Sequence, residues 1–164
     1  DKKNVFPVKK DFTYLKDVLK TMDTAKDIVI IGGGFIGIEF ADECRKNRNV
    51  TVTVVEMMDK CLKLAMDDEY CAEAEKCLTD TGVKVLTGRR VASIEGGEAV
   101  TGGRLADGEV LKADVVVLGI GAAPNSEPWC GAPGNRWSIW PSGAWGRPTC
   151  SAQPGPTRSI VRAW

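Results

Sequence analysis

Alternating helical and buried-strand patterns run through the first 118 residues of the chain. Apolar side chains recur at helical spacing over residues 11–22, where Asp11 is placed to cap the start of a helix. The inner face of this helix is predicted to carry Phe12, Leu15, Val18, Leu19 and Met22. A continuous β-branched run over residues 27–31 then predicts a strand that is buried on both faces of a parallel sheet.

The same alternation continues further along the chain and then gives way to a meander. The predicted elements are a helix from the glycine-rich loop (32–37) to about residue 46, a strand at 50–55, a helix at 67–81, a strand at 83–86 and a strand at 114–118. Between residues 89 and 111, short stretches are divided by Gly-Gly and Asp-Gly pairs, which is typical of antiparallel strands. The order predicts an α/β fold, a Rossmann-like βαβαβ parallel sheet with an antiparallel β-meander.

Composition and charge narrow the range of functions. The 164 residues suffice for one domain with a core, and 22 basic side chains balance 22 acidic ones. A chain without a basic surplus is a poor candidate for a general nucleic-acid or anionic-membrane binder. No apolar run approaches the roughly 18–20 residues that span a bilayer, and the polar N-terminus has no signal-peptide core, so we expect a cytoplasmic protein.

Cysteine and histidine usage limits the chemistry further. The six cysteines form no CxxC pair, and the chain contains no histidine, which leaves out Cys/His zinc sites and histidine-based triads. We therefore predict small buried or half-buried cysteines in a reducing compartment, with no metal ligand and no catalytic residue.

A GxGxxG motif joins the first buried strand to the following helix, which is the context in which this motif binds a dinucleotide. Gly32 permits the tight turn, Gly34 lets a pyrophosphate approach the backbone, and Gly37 lets the helix pack closely on the sheet. The helix N-terminus adds free N–H groups and a partial positive charge for the diphosphate. The loop contains no lysine, which separates it from a Walker A nucleotide site.

An acidic residue, Glu56, stands at the carboxyl end of the second strand of this βαβ unit. A carboxylate at this place accepts hydrogen bonds from the adenosine ribose hydroxyls and repels the 2′-phosphate of NADP. No arginine follows within the next few residues, and Lys60 is the nearest cation in the sequence. The sequence therefore predicts NAD(H) rather than NADP(H) as the ligand.

Three blocks of sequence, at 30–39, 54–56 and 114–125, together resemble a known family. They look like the NAD domain of the pyridine nucleotide–disulfide oxidoreductases, and they are most similar to the NADH oxidase and coenzyme A–disulfide reductase branch. The resemblance extends over residues 4–125. It implies a four-stranded parallel sheet, a three-stranded antiparallel β-meander, and an NADH held beside an FAD that takes its hydride.

Further site residues follow from this resemblance alone. Phe35 matches the aromatic residue that covers the flavin or nicotinamide face, and Glu39 matches a glutamate near the nicotinamide carboxamide. The turn Gly119-Ile120-Gly121 matches the backbone segment that lines the nicotinamide side. The predicted cofactor-binding residues are thus Gly32, Gly33, Gly34, Phe35, Ile36, Gly37, Glu39, Glu56, Gly119, Ile120 and Gly121.

The sequence also departs from the family pattern, and these departures determine which cofactors we expect the chain alone to bind. The family's FAD-binding GxGxxG and its redox cysteine are not found in the sequence, so FAD is expected only in a full-length parent enzyme. Alone, the chain is predicted to bind NADH without FAD or turnover, and the partner is the FAD-binding domain of that parent. The alternatives are a non-catalytic NAD(H)-sensing domain and a Rossmann methyltransferase that binds S-adenosylmethionine; oligomeric state stays open.

The chain changes character after Asn125. All five tryptophans and most prolines lie beyond it, and arginine is the only charged residue type from 128 to 164. We accordingly divide the chain into an N-terminal linker and helix (1–25), the NAD(H)-binding domain (26–125) and an irregular tail (126–164). We interpret the tail as out-of-frame sequence; the alternatives are a flexible proline-rich tail and a segment docked over the sheet edge or the cleft.

Overall fold

The fold is known from a computed structural model, which describes residues 2–46 and 48–121. Its helices are α1 (Phe12–Met22), α2 (Phe35–Lys46) and α3 (Asp68–Asp80). Its strands are β1 (Val5–Pro7), β2 (Asp27–Ile31), β3 (Thr51–Val55), β4 (Lys84–Leu86), β5 (Val91–Gly96), β6 (Val100–Leu105), β7 (Val110–Lys112) and β8 (Val115–Leu118). The predicted order of helices, strands and meander is confirmed.

A parallel sheet of five strands, in the order β1-β8-β2-β3-β4, forms the middle layer. β2 lies at its centre, and the run from Ile28 to Ile31 is buried, as a strand covered on both faces requires. The resemblance implied four strands, and β1 is the fifth. It comes from the segment predicted as a linker, and its three residues are too few to show a period. Pro7 is accommodated because β1 is an edge strand.

Two layers cover the parallel sheet, one on each face. Alternate residues of β2 point to opposite sides, with Ile28 and Ile30 packing in a cluster that includes buried side chains of all three described helices. Val29 and Ile31 pack in a second cluster with residues of the meander. The meander itself is a separate antiparallel sheet in the order β5-β6-β7. The predicted fold class is therefore confirmed.

Helix α1 begins as predicted, because the side chain of Asp11 accepts a hydrogen bond from the Tyr14 N–H at 2.8 Å. Its inner face is narrower than the sequence pattern indicated. Val18 and Met22 are buried, whereas Phe12 is 77% and Leu19 47% exposed. These two lie roughly 100–120° round the helix from Val18, at 3.6 residues per turn, and so miss the sheet.

Some predictions concern residues that the structure does not describe. The tail (126–164) and the last four residues of the third sequence block, 122–125, lie outside the described ranges. Within those ranges, no helix has the length and apolar character needed to cross a membrane.

Candidate functional site

The predicted binding residues gather at one edge of the parallel sheet, where three neighbouring strands end. Ile31 at the end of β2 is in register with Val55 at the end of β3 and with Leu118 at the end of β8. The glycine-rich loop, Glu56 and the turn 119–121 follow these three ends directly. Segments far apart in sequence therefore meet at the carboxyl edge, where open α/β sheets bind their ligands.

Three glycines hold the loops together by backbone-to-backbone contact. Gly32 has a φ of +108°, and a Cβ there would stand 2.6 Å from the carbonyl oxygen of Gly119. A Cβ on Gly37 would stand 1.9 Å from the carbonyl oxygen of Gly32, and one on Gly119 would stand 3.1 Å from the Cα of Gly37. A side chain on Gly32 or Gly37 would overlap these backbone atoms and one on Gly119 would be tight, so the loop, helix α2 and the turn after β8 pack closely.

No described residue covers the outer side of the glycine-rich loop at Gly34. Apart from Gly34 and its two chain neighbours, no described residue has a heavy atom within 4 Å of the position that a Cβ on Gly34 would take. The Ile38 N–H donates to the Gly34 carbonyl at 3.0 Å, so the N–H groups of Phe35, Ile36 and Gly37 precede the first helical hydrogen bond. The first turn of α2 carries no acidic residue. Among the described residues, the positive end of this helix is therefore left uncovered, which suits an anion.

Glu56 is half-buried and joins the end of β3 to the glycine-rich loop. Its Oε2 accepts from the Gly33 N–H at 2.5 Å, and its Oε1 accepts from the Met58 N–H at 2.8 Å. Its backbone is also fixed, since its N–H donates to Leu86 at 2.8 Å and its carbonyl accepts from Arg89 at 3.0 Å. An ionised carboxylate offers about four acceptor positions, so both oxygens keep capacity for further donors.

Two cations close to Glu56 are paired with other carboxylates: Lys60, the nearest in the sequence, and Arg89, whose backbone N–H donates to the Glu56 carbonyl. Lys60 Nζ lies 3.1 Å from a carboxylate oxygen of Asp68. Arg89 pairs with Asp107 and, at 3.1 Å, with Glu109. Both positive charges are therefore neutralised by neighbours.

The other predicted site residues are mostly exposed. Phe35 is 56% and Ile120 40% exposed, Ile36 is half-buried, and Gly121 has a φ of +123°. Glu39 is exposed on α2, four residues after Phe35, which puts the two side chains on the same face of the helix. The structure thus puts an exposed aromatic side chain at the start of α2 and an exposed aliphatic one in the turn after β8.

Sequence reasoning missed the segment that packs against the glycine-rich loop from beneath. A Cβ on Gly33 would stand 2.6 Å from the Sγ of Cys61, which is fully buried. The N–H of Leu62, a residue with a φ of +58°, donates to the Gly33 carbonyl at 2.9 Å. The carboxylate of Glu75 on α3 accepts from the Cys61 N–H at 2.6 Å. No glycine or turn signature marks residues 61–62, so this contact could not be predicted from the sequence.

The cysteines of the described ranges are free thiols. Cys44, Cys61 and Cys71 are buried, in agreement with the prediction, and Cys77 is exposed. Burial raises the pKa of the Cys61 thiol to about 12, and the charges of Glu75 and Glu56 add to this effect. Within residues 2–46 and 48–121, no group of three or more His, Cys, Asp and Glu side chains could hold a metal ion.

Comparison with known proteins bears on the identity of this site. The model of one family, described as pyridine nucleotide-disulphide oxidoreductase, matches residues 3–133. Dihydrolipoyl dehydrogenase of Mycobacterium leprae is 41% identical over 116 residues, which are 69% of this chain and 24% of that protein. The chain thus spans about a quarter of the length of this curated relative.

Solved structures with the same fold include two reductases. The NAD-dependent persulfide reductase from A. fulgidus is 34% identical with a TM-score of 0.70, and the match covers 77% of this chain and 23% of that one. Reduced CoADR-RHD from Bacillus anthracis, a coenzyme A–disulfide reductase, is 26% identical with a TM-score of 0.68, and the match covers 77% and 22%. Both are consistent with the branch that the sequence resembles. This chain belongs to the pyridine nucleotide–disulphide oxidoreductase family.

Proposed function

We propose that this chain is the NAD(H)-binding domain of a flavin-dependent, NADH oxidase-like oxidoreductase. In that role it presents the nicotinamide to an FAD held elsewhere in a longer parent enzyme. The observation that carries the proposal is the hydrogen bond from the Gly33 N–H to Glu56, beside the open side of Gly34. A carboxylate next to an open glycine loop is the combination that binds ribose and diphosphate in dinucleotide sites.

The diphosphate binds at the N-terminus of α2. Gly34 leaves the room that the phosphates need, since a Cβ there would meet no described atom within 4 Å. The N–H groups of Phe35, Ile36 and Gly37 precede the helical ladder and can donate to phosphate oxygens. Gly32 and Gly37 contribute by packing, because they let the loop and the helix approach each other.

The adenosine ribose binds at Glu56, whose oxygens keep acceptor positions for the two hydroxyls. Gly33 serves the site indirectly, because its N–H holds this carboxylate in place. The same charge repels a 2′-phosphate, and the pairing of Lys60 with Asp68 removes the nearest counter-charge in sequence. These features support NAD(H) over NADP(H).

The nicotinamide end is directed toward Phe35, Glu39 and the turn 119–121. Bound NADH supplies a hydride, and FAD is the acceptor that the family resemblance implies. Phe35 and Ile120 are 56% and 40% exposed, which gives apolar surface for the nicotinamide and for the flavin-binding part of the parent enzyme. The electron acceptor beyond the flavin is selected outside the described residues.

Calorimetric titration of the purified chain tests the ligand class. We expect one site for NADH, weaker binding of NADPH, and no heat with S-adenosylmethionine. A Rossmann methyltransferase also uses an acidic residue after its second strand to bind ribose, so Glu56 alone does not separate the two alternatives. That alternative predicts tighter binding of S-adenosylmethionine than of NADH. Binding of S-adenosylmethionine in preference to NADH would overturn the proposal.

A further inference from the structure

We infer that Glu75 on α3 is a positioning residue for dinucleotide binding, acting through Cys61 and Leu62 to hold the glycine-rich loop in its binding shape. This inference rests on the proposed function above. It assigns a role to a carboxylate that lies on the helix after the ribose-binding strand, outside the sequence blocks that identify the site.

A chain of hydrogen bonds leads from Glu75 to the binding edge. The Cys61 N–H donates to Glu75 Oε1 at 2.6 Å, and the next N–H, that of Leu62, donates to the Gly33 carbonyl at 2.9 Å. The Gly33 N–H then donates to Glu56 Oε2 at 2.5 Å. Both peptide groups that flank Gly33 are therefore fixed, one by Leu62 and the other by Glu56.

The packing of Cys61 and the backbone geometry of Leu62 indicate that neighbouring residues hold this segment in place. The Cys61 Sγ occupies the space beside Gly33, and the residue has no solvent exposure. Leu62 has a φ of +58°, in the left-handed region that a leucine rarely adopts unless its surroundings hold it there. The hydrogen bond from the Cys61 N–H to Glu75 ties the backbone of this segment to α3, while the flanking side chains of Lys60 and Lys63 pair with Asp68 at the start of the same helix.

Among the described residues, the Cys61 N–H is the hydrogen-bond partner found for the side chain of Glu75. It is half-buried, and no lysine or arginine in the described part of the chain forms an ion pair with it within 4 Å. A carboxylate removed from water needs hydrogen-bond donors, and here the donor is the backbone N–H of Cys61. By contrast Glu73, two residues earlier on the same helix, is exposed and serves as a matched control.

The test compares three variants with the wild-type chain by titration with NADH and with ADP-ribose. Glu75→Met removes the acceptor and should weaken both ligands about tenfold, the value of one charged hydrogen bond. Glu75→Gln keeps an acceptor oxygen and should bind within about twofold of wild type if the hydrogen bond, rather than the charge, is what positions the loop. Glu73→Met should bind as wild type does. ADP-ribose should be affected as much as NADH, because Gly33 and Glu56 belong to the proposed sites for the diphosphate and the ribose, which both ligands contain.

Thiol alkylation gives a readout that does not depend on ligand. In Glu75→Met, Cys61 should be labelled faster than in wild type while buried Cys44 stays protected, because the segment at residues 61–62 opens locally. Equal exposure of both cysteines would indicate global unfolding and contradict the inference. So would wild-type affinity in Glu75→Met. If the wild-type chain itself bound neither ligand, the proposed function would fall, and the binding role of Glu75 with it.

Discussion

The carboxylate of Glu56 accepts a hydrogen bond from the backbone N–H of Gly33, with oxygen and nitrogen 2.5 Å apart. This bond links the residue after β3 to the loop after β2, so the carboxylate proposed to bind ribose is oriented before any ligand arrives. Orientation in advance reduces the ordering that binding requires. We therefore expect the proposed selectivity for NAD(H) to depend on this contact.

Replacement of Glu56 by alanine should weaken NADH binding by about tenfold, as expected for loss of one charged hydrogen bond to ribose. Binding of NADPH should not become weaker, since the repulsion of its 2′-phosphate is removed at the same time. Glu73→Ala on the exposed face of α3 is the control and should bind both cofactors normally. Parallel titrations of the two variants measure this, and an equal loss for NADH and NADPH would contradict the assignment.

Alanine substitutions at Gly34 and Gly37 distinguish a glycine that leaves space for a ligand from one that lets the helix pack closely. Gly34→Ala should change the free energy of unfolding by less than about 1 kcal/mol, because nothing described lies near the added methyl. It should nevertheless weaken NADH binding strongly. Gly37→Ala should destabilise the fold by at least about 2 kcal/mol, since its Cβ would meet the Gly32 carbonyl oxygen at 1.9 Å. Denaturant unfolding and NADH titration check both, and normal NADH binding by Gly34→Ala would count against the diphosphate site.

In this site, contacts between residues close in the sequence could be predicted, whereas a contact between distant segments could not. The roles of Gly32 and Gly37 were predictable because one turn and one helix–strand contact determine them. The support by Cys61 and Leu62 was not, because it joins residues that are nearly thirty positions from the loop and depends on a left-handed leucine. Propensity gives no sign of such a conformation.

The fold was predictable to a similar extent. Buried strands such as β2 and β8 stand out as β-branched runs, whereas β1 has only three residues and is held by pairing with β8. For α1, the spacing of apolar residues identified the helix and Asp11 identified its start, but the prediction that Phe12 is buried was wrong. Periodicity defines a face, and the neighbouring strands decide how much of it is covered.

A double-mutant cycle tests the contact beneath the loop. Gly33→Ala should destabilise the chain, because the new Cβ would lie 2.6 Å from Cys61 Sγ and 3.0 Å from the Cβ of Glu56. Cys61→Ala in the same chain should recover part of that loss, since it removes the nearer of the two atoms. The coupling free energy measured by denaturant unfolding should be about 0.5–3 kcal/mol, and strict additivity would contradict the packing described here.

A carboxylate at the opposite edge of the sheet should make stability depend on pH. Hydrogen bonds from the Lys26 N–H, and less so from the Asp27 N–H, hold the pKa of Asp114 below its usual range. Its stabilising contribution is therefore complete above the unfolded pKa of about 3.9 and is lost as the pH falls through the lower folded pKa. Asp114→Asn should be less stable than wild type near neutrality, and the difference should narrow below about pH 4. A constant difference in unfolding free energy across this range would refute the assignment.

The chain purified alone should contain no flavin and should not oxidise NADH. Hydride transfer requires a flavin held against the nicotinamide, and the proposed function assigns that flavin to another part of a longer parent enzyme. Absorbance spectroscopy after gel filtration, followed by an NADH consumption assay, measures both properties. A yellow protein with a flavin absorbance band would contradict the proposed division of roles.

Mapping of backbone amide shifts by NMR during titration with NADH locates the proposed dinucleotide site on the structure. We predict that the largest shifts fall on residues 32–37, on Glu56 to Met58 and on 119–121, with the meander strands β5 and β6 nearly unaffected. NADPH should produce the same pattern only at higher concentration. Absence of shifts at the glycine-rich loop, or shifts centred on another face of the sheet, would contradict the account.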